Sequence, residues 1–229
     1  MRARLLAWAI VGAAAAMPLC GAQDVRLRIE VPGRAPAPMP PAVVWLKPLQ
    51  PVAPAAVPPR KTYTLTQKNR SFIPHLLVVP VGTQVQFPNE DPFYHNVFSL
   101  FDGKRFDLGL YEAGSSKEVT FSREGVSYIF CNIHPEMSGV VVALSTPFFA
   151  TADGKGAVDL QGVPAGDYEL HVWTEGVPQD VLDRLTRRVH VTANQNELGV
   201  LVLPVTPART ASHLNKFGQP YDQSSHSPY

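Results

Sequence analysis

Four side chains in this sequence could do chemistry together. The segment 130–139 reads Phe-Cys-Asn-Ile-His-Pro-Glu-Met-Ser-Gly, which spaces Cys131, His134 and Met137 as Cys-x2-His-x2-Met. Upstream, His95-Asn96-Val97 opens another apolar stretch. One thiolate, two imidazoles and one thioether form a soft donor set. It suits copper as a trigonal His2Cys plane with a long axial Met, the arrangement of a blue-copper electron-transfer site. Zinc also takes Cys and His, but a thioether is a poor zinc ligand, so Met137 favours copper. Each residue has a plainer reading as well. Cys131 alone could be a small buried hydrophobe, and Met137 alone a filler of the core.

The cysteine count sharpens the case. The chain has two cysteines, and Cys20 lies at the end of an N-terminal segment with the pattern of a secretory signal. Arg2 and Arg4 give it a positive start, an apolar run follows from 5 to 19, and Cys20-Gly21-Ala22 supplies small residues for cleavage. Residues 1–22 are therefore expected to be removed on export to the periplasm or beyond. Lipid anchoring at Cys20 is the alternative, disfavoured by the bulky Leu19. The mature chain then keeps Cys131 alone, in a compartment where thiols oxidise. An internal disulfide is excluded, and metal ligation explains the residue.

Composition limits the other possibilities. The 229 residues are 45% hydrophobic, enough for a packed core, and only 17% charged with a formal net charge of +1. Removing Arg2 and Arg4 takes that charge to −1, which argues against a nucleic-acid partner. No later stretch is apolar enough to span a membrane. The 23 prolines disfavour a helical bundle.

The elements that must position the ligands read as short strands. Residues 24–31 alternate polar and apolar, and 42–46, 76–81, 85–87, 97–100, 118–121, 127–130 and 140–144 follow, separated by Gly, Pro and Asp turns. Nine prolines lie between 36 and 59, and the segment 48–59 is expected to be an extended surface loop. Beyond Pro147, apolar alternation at 158–160, 168–172, 189–191 and 198–203 predicts further strands, with a short helical turn or loop at 181–187. Such strands and turns predict an all-β fold class: a β-sandwich or barrel over 24–144, then a smaller β-sandwich over 146–204. A flexible tail is expected over 205–229.

The segment from Cys131 to Met137, with His95-Asn96-Val97, resembles the cupredoxins, and its short ligand loop is closest to amicyanin. The resemblance extends roughly over 24–144 and is strong over 72–144. Together with the second sandwich, it resembles bacterial exported plastocyanin-like or methylamine-utilisation proteins. It implies a Greek-key β-sandwich and a mononuclear copper carrier of single electrons rather than an enzyme. The metal ligands would be His95, Cys131, His134 and Met137. Asn96 would tie the two ligand loops together by hydrogen bonds. The edge of His134 would be the electron port, ringed by Pro92, Phe93 and Pro135. The partner would be a redox protein, a cytochrome c or a dehydrogenase or oxidase. Glu90, Asp91 and Glu136 lie near the ligand loops and read either as a steering patch for a basic partner or as a solvated rim.

The second segment, with its Asp153-Gly154 turn and Val163-Pro164-x-Gly166-x-Tyr168-x-Leu170-x-Val172-Trp173, resembles the carboxypeptidase regulatory-like, transthyretin-like sandwich, a generally non-catalytic family. Rival functions are a copper carrier or chaperone without redox cycling, and an envelope carbohydrate-binding module using the second sandwich, with Trp173 as a stacking platform. A multicopper enzyme would need further His clusters, and none is visible. His75, His171, His190, His213 and His226 show no ligand spacing to one another.

Overall fold

A computed structural model of the chain describes residues 22–33, 39–52, 62–100, 103–194, 196–204 and 214–221. The signal segment including Cys20 and most of the proline-rich loop lie outside these residues. The chain order is β1 (Gln23–Glu30), β2 (Ala42–Pro48), β3 (Tyr63–Thr64), β4 (Thr66–Lys68), β5 (Ser71–Ile73), β6 (Leu76–Pro80) and β7 (Thr83–Pro88). It continues with β8 (His95–Ser99), β9 (Phe106–Tyr111), β10 (Ser116–Phe121), β11 (Gly125–Phe130) and β12 (Ser138–Leu144). After β13 (Phe149–Thr151), β14 (Ala157–Val163) and β15 (Gly166–Thr174) come one short helix, α1 (Gln179–Asp183), then β16 (Arg187–Val191) and β17 (Glu197–Val202).

The strands form two sandwiches, as an all-β reading requires. In the first, a five-stranded sheet ordered β6-β12-β11-β8-β9 faces a three-stranded sheet ordered β10-β7-β3. Phe87, Phe121, Val97, Ile129 and Val141 pack between them. The hairpin β4-β5 is a separate two-stranded sheet that packs against β7 and β12. In the second, β14-β1-β17 faces β13-β2-β15-β16.

That pairing corrects the expected boundary at residue 24. β1 pairs with β14 and β17, and β2 pairs with β13 and β15, so both N-terminal strands belong to the second sandwich. The first sandwich is inserted between β2 and β13. The physical reason is visible in the burial. Val25, Leu27 and Ile29 face the same cluster as Leu160, Tyr168 and Leu170. Without β1, strands β14 and β17 would have no shared neighbour, and without β2, strands β13 and β15 would separate.

The two sandwiches share apolar surface. Along β12, Val141 and Ala143 enter the core of the first sandwich, while Val140, Val142 and Leu144 join the core of the second. A strand buried on both faces reads as an unbroken apolar run, which explains 140–144. Tyr128 of β11 meets Trp173 of β15 at 6.4 Å between ring centres. Trp173 is only 2% exposed, so it packs the junction and offers no platform for a sugar. The Thr146 hydroxyl donates to the Leu46 carbonyl at 2.7 Å where the chain returns from the insertion.

A polar contact also crosses the junction. His75 Nε2 lies 2.8 Å from the Glu175 carboxylate, and His75 Nδ1 lies 3.1 Å from the Ser138 carbonyl. The bond to Glu175 raises the His75 pKa above its ordinary value of 6.5, against the effect of burial. A raised folded pKa means that the stabilisation is complete below the unfolded value and is lost as pH rises through the folded one. Glu175→Gln is therefore expected to cost roughly 0.2–1 kcal/mol at about pH 5.5, the worth of a half-exposed pair, and nothing at about pH 9. Urea unfolding at the two pH values checks this; an equal cost at both would contradict it.

Candidate metal centre

Three of the four candidate ligands, His95, Cys131 and His134, converge in the first sandwich. His95 is the first residue of β8, every residue of which is buried. Cys131 directly follows β11, and His134 and Met137 lie on the loop that turns into β12. Antiparallel pairing of Phe130 with Phe98 sets β8 beside β11, which brings the two ligand segments together. The loop is tight: the Met137 N–H donates to the His134 carbonyl at 3.0 Å, and the Cys131 N–H donates to the Met137 carbonyl at 3.3 Å. Gly139 lets the chain leave it, because a Cβ there would lie 3.0 Å from the Cβ of Phe72.

Three donor atoms face one another. Cys131 Sγ lies 3.8 Å from His95 Nδ1 and 3.6 Å from His134 Nδ1, and the two nitrogens are 3.1 Å apart. All three residues are buried. A triangle of that size has a centre about 2 Å from every corner, the length of a metal–imidazole bond. The donor set and its spacing therefore fit a small, soft transition-metal ion. Met137 is fully buried in the same cluster as Cys131. The other histidines of the described residues stay apart from this group and have other neighbours: Glu175 for His75, Thr186 for His171 and Asp167 for His190. His213 and His226 lie outside the described residues.

Burial raises the Cys131 pKa above its ordinary value, and the N–H groups of Asn96, Ile133 and His134 offset this only in part. Burial and then the neighbouring His95 lower the His134 pKa, which keeps its ring neutral and its lone pair available. A metal ion that binds here must therefore displace the thiol proton, whereas the His134 lone pair is already available.

A partner that the sequence did not reveal orients His95. Its Nε2 lies 2.8 Å from Asp91 Oδ2, four residues upstream, and Asp91 is 5% exposed. Donation from Nε2–H fixes the tautomer, leaving Nδ1 unprotonated toward the triangle. Asp91 is itself held: its two oxygens accept the N–H groups of Asn69 at 2.6 Å and Arg70 at 2.9 Å. Those two residues turn the hairpin β4-β5 with φ of 53° and 52°. Burial pushes the Asp91 pKa up, and the bonds from Arg70, His95 and Asn69 more than offset it, leaving the carboxyl below its ordinary value. A steering role for Asp91 is thereby corrected, since the carboxylate points inward and its charge is spoken for. Glu90 and Glu136 are exposed, and Glu90 pairs with Lys68.

Asn96 spans the two ligand segments. Its Oδ1 accepts the Asn132 N–H at 3.3 Å, and its Nδ2 donates to Asp107 at 2.8 Å. The Phe93 ring sits 5.2 Å from the His95 ring and 5.6 Å from the His134 ring. His134 retains 6% exposure; Pro92 and Pro135 on the flanking loops are exposed.

Comparison with protein-family models and with curated proteins returns no match. Among solved structures, the copper-containing nitrite reductase of Thermus scotoductus is 30% identical over 42% of this chain, with a TM-score of 0.36. The chain spans 26% of that reductase. A purple cupredoxin from Nitrosopumilus maritimus is 32% identical over 33% of this chain and 84% of its own, with a TM-score of 0.31. A reduced amicyanin variant is 22% identical over 44% of this chain and 98% of its own, with a TM-score of 0.35.

Proposed function

We propose that this protein is an exported carrier of single electrons, with one copper ion held by His95, Cys131 and His134 and a weaker fourth bond from Met137. The observation that carries the reading is the buried triangle of one sulfur and two nitrogens, 3.1 to 3.8 Å on a side. Copper, when bound, supplies a one-electron Cu(I)/Cu(II) couple, and thiolate with thioether suits the lower oxidation state.

The protein residues contribute rigidity and insulation. Cys131 follows a strand hydrogen-bonded on both sides, and His95 opens another. Asp91 fixes the His95 ring, and Asn96 ties the His95 segment to the Cys131 loop. Ligands held this way move little when the charge at their centre changes, so an electron can leave without large rearrangement. The burial of all three donors keeps water and small oxidants away. The slightly exposed edge of His134, with apolar Pro92, Phe93 and Pro135 nearby in sequence or space, is the proposed port. The partner at that port is a redox protein. The second sandwich serves as a structural or docking module. Export rests on the charged, apolar and small-residue pattern of positions 1–22. No helix among the described residues is long and apolar enough to cross a membrane.

Voltammetry on the purified protein loaded with Cu(II) tests the function. The expected result is one reversible one-electron wave with one copper per chain. Copper that passes to an acceptor apo-protein without any reversible wave would make the protein a carrier of the metal itself. Turnover of oxygen or nitrite would make it an enzyme.

A further inference from the structure

The C-terminal segment was expected to be a mobile tail, yet residues 214–221 lie on the ligand loops. The segment is shaped by its own turn. Asn215 Oδ1 accepts the N–H groups of Phe217 at 2.9 Å and Gln219 at 3.0 Å, and the Gly218 N–H donates to the Asn215 carbonyl at 2.9 Å. Gly218 has a φ of 75°, which glycine adopts freely.

From this turn, hydrogen bonds run in a closed ring through both ligand segments. The Lys216 N–H donates to Asn132 Oδ1 at 2.9 Å, and Lys216 Nζ donates to Asp107 Oδ2 at 2.9 Å. Asp107 accepts Asn96 Nδ2 on its other oxygen, and Asn96 Oδ1 accepts the Asn132 N–H. The ring thus passes Lys216, Asp107, Asn96 and Asn132 and returns to Lys216. Asn96 adjoins His95, and Asn132 adjoins Cys131. A further bond reaches a ligand residue itself: the Tyr221 hydroxyl donates to the Cys131 carbonyl at 2.9 Å.

We propose that residues 214–221 are a clasp that holds the His95–Asn96 and Cys131–Asn132 segments against each other and closes the cysteine side of the centre, with Lys216 and Tyr221 as positioning residues. The role assigned to the clasp rests on the metal-centre reading above. The bonds of the clasp run to Cys131, Asn132 and Asp107, which leads us to place the partner at the His134 edge and not at Cys131.

The test compares the full chain with Tyr221→Phe, Lys216→Met and a chain ending at residue 213. Metal is first removed, and the rate at which Cys131 reacts with an aromatic disulfide reagent is followed. Each lost hydrogen bond is expected to speed the reaction about fivefold in the point variants. In the shortened chain the expected acceleration is on the order of a hundredfold. A synthetic peptide of residues 214–229 should slow it again. After copper loading, release to a chelator should quicken in the same order. Unchanged thiol rates in Tyr221→Phe and Lys216→Met overturn the clasp, and these two variants decide the matter if the shortened chain fails to fold. The thiol rates need no copper. A full chain that binds no copper removes the electron-carrier reading, whereas bound copper with equal thiol rates removes the clasp alone.

Discussion

Cys131→Ser will abolish the intense visible absorption of the copper-loaded protein and lower its copper affinity by orders of magnitude. That absorption comes from charge transfer between a thiolate and Cu(II), and a serine hydroxyl is a hard donor that stays protonated at neutral pH. The substitution leaves two imidazoles with an N–N distance of 3.1 Å and only the weaker Met137 thioether in place of a thiolate. Because Cys131 is fully buried and serine is of similar size, the variant should still fold, as circular dichroism would verify. A visible spectrum recorded after addition of Cu(II) reads the result. A variant that keeps the band would place the sulfur outside the coordination sphere and overturn the ligand assignment.

Asp91→Ala carries the second large effect. It leaves three donors without their acceptor: His95 Nε2–H and the N–H groups of Asn69 and Arg70. The His95 ring then loses both its fixed tautomer and its orientation, and the turn that held the carboxylate loses its anchor. Removing such an outer partner of a metal-bound imidazole costs 10- to 100-fold in affinity, roughly. Competition with a chelator of known copper affinity measures it. Asp91→Asn should fall between the wild type and Asp91→Ala, since one amide oxygen can accept but cannot serve three donors. Equal copper affinity in all three proteins would show that His95 is placed by its strand alone.

What could be read from the sequence, and what could not, follows from the range of the forces involved. The spacing of Cys131, His134 and Met137 is local, and a tight loop between two strands leaves those side chains little choice of direction. His95 is legible as a candidate because a donor set needs a fourth member and His-Asn-Val starts an apolar run, and the fold does bring it beside Cys131 and His134. Strand existence was equally legible, since period-two alternation reports which face is buried. It does not report the partner. β1 pairs with residues more than a hundred positions away, such as Val25 with Leu160, and nothing in the pattern of 24–31 distinguishes that from pairing with the next strand. Hence the boundary at 24 was misplaced.

Asp91 was hidden for a different reason. A carboxylate in a polar loop is usually solvated, and its burial depends on the turn at Asn69 and Arg70 from a separate hairpin. The one local signal was its position four residues before a candidate ligand. The tail carried a turn signal in Asn215 and Gly218, but its docking depends on Asn132 and Asp107, which only the folded sheet presents.

The central claim is that His95, Cys131 and His134 hold one copper ion with a covalent thiolate bond. Electron paramagnetic resonance of the Cu(II)-loaded protein, recorded with its visible spectrum, tests that claim most directly. Narrow copper hyperfine splitting together with an intense thiolate band, at one copper per chain, is the predicted result. Wide splitting without the band, from copper bound elsewhere by nitrogen and oxygen, would contradict it.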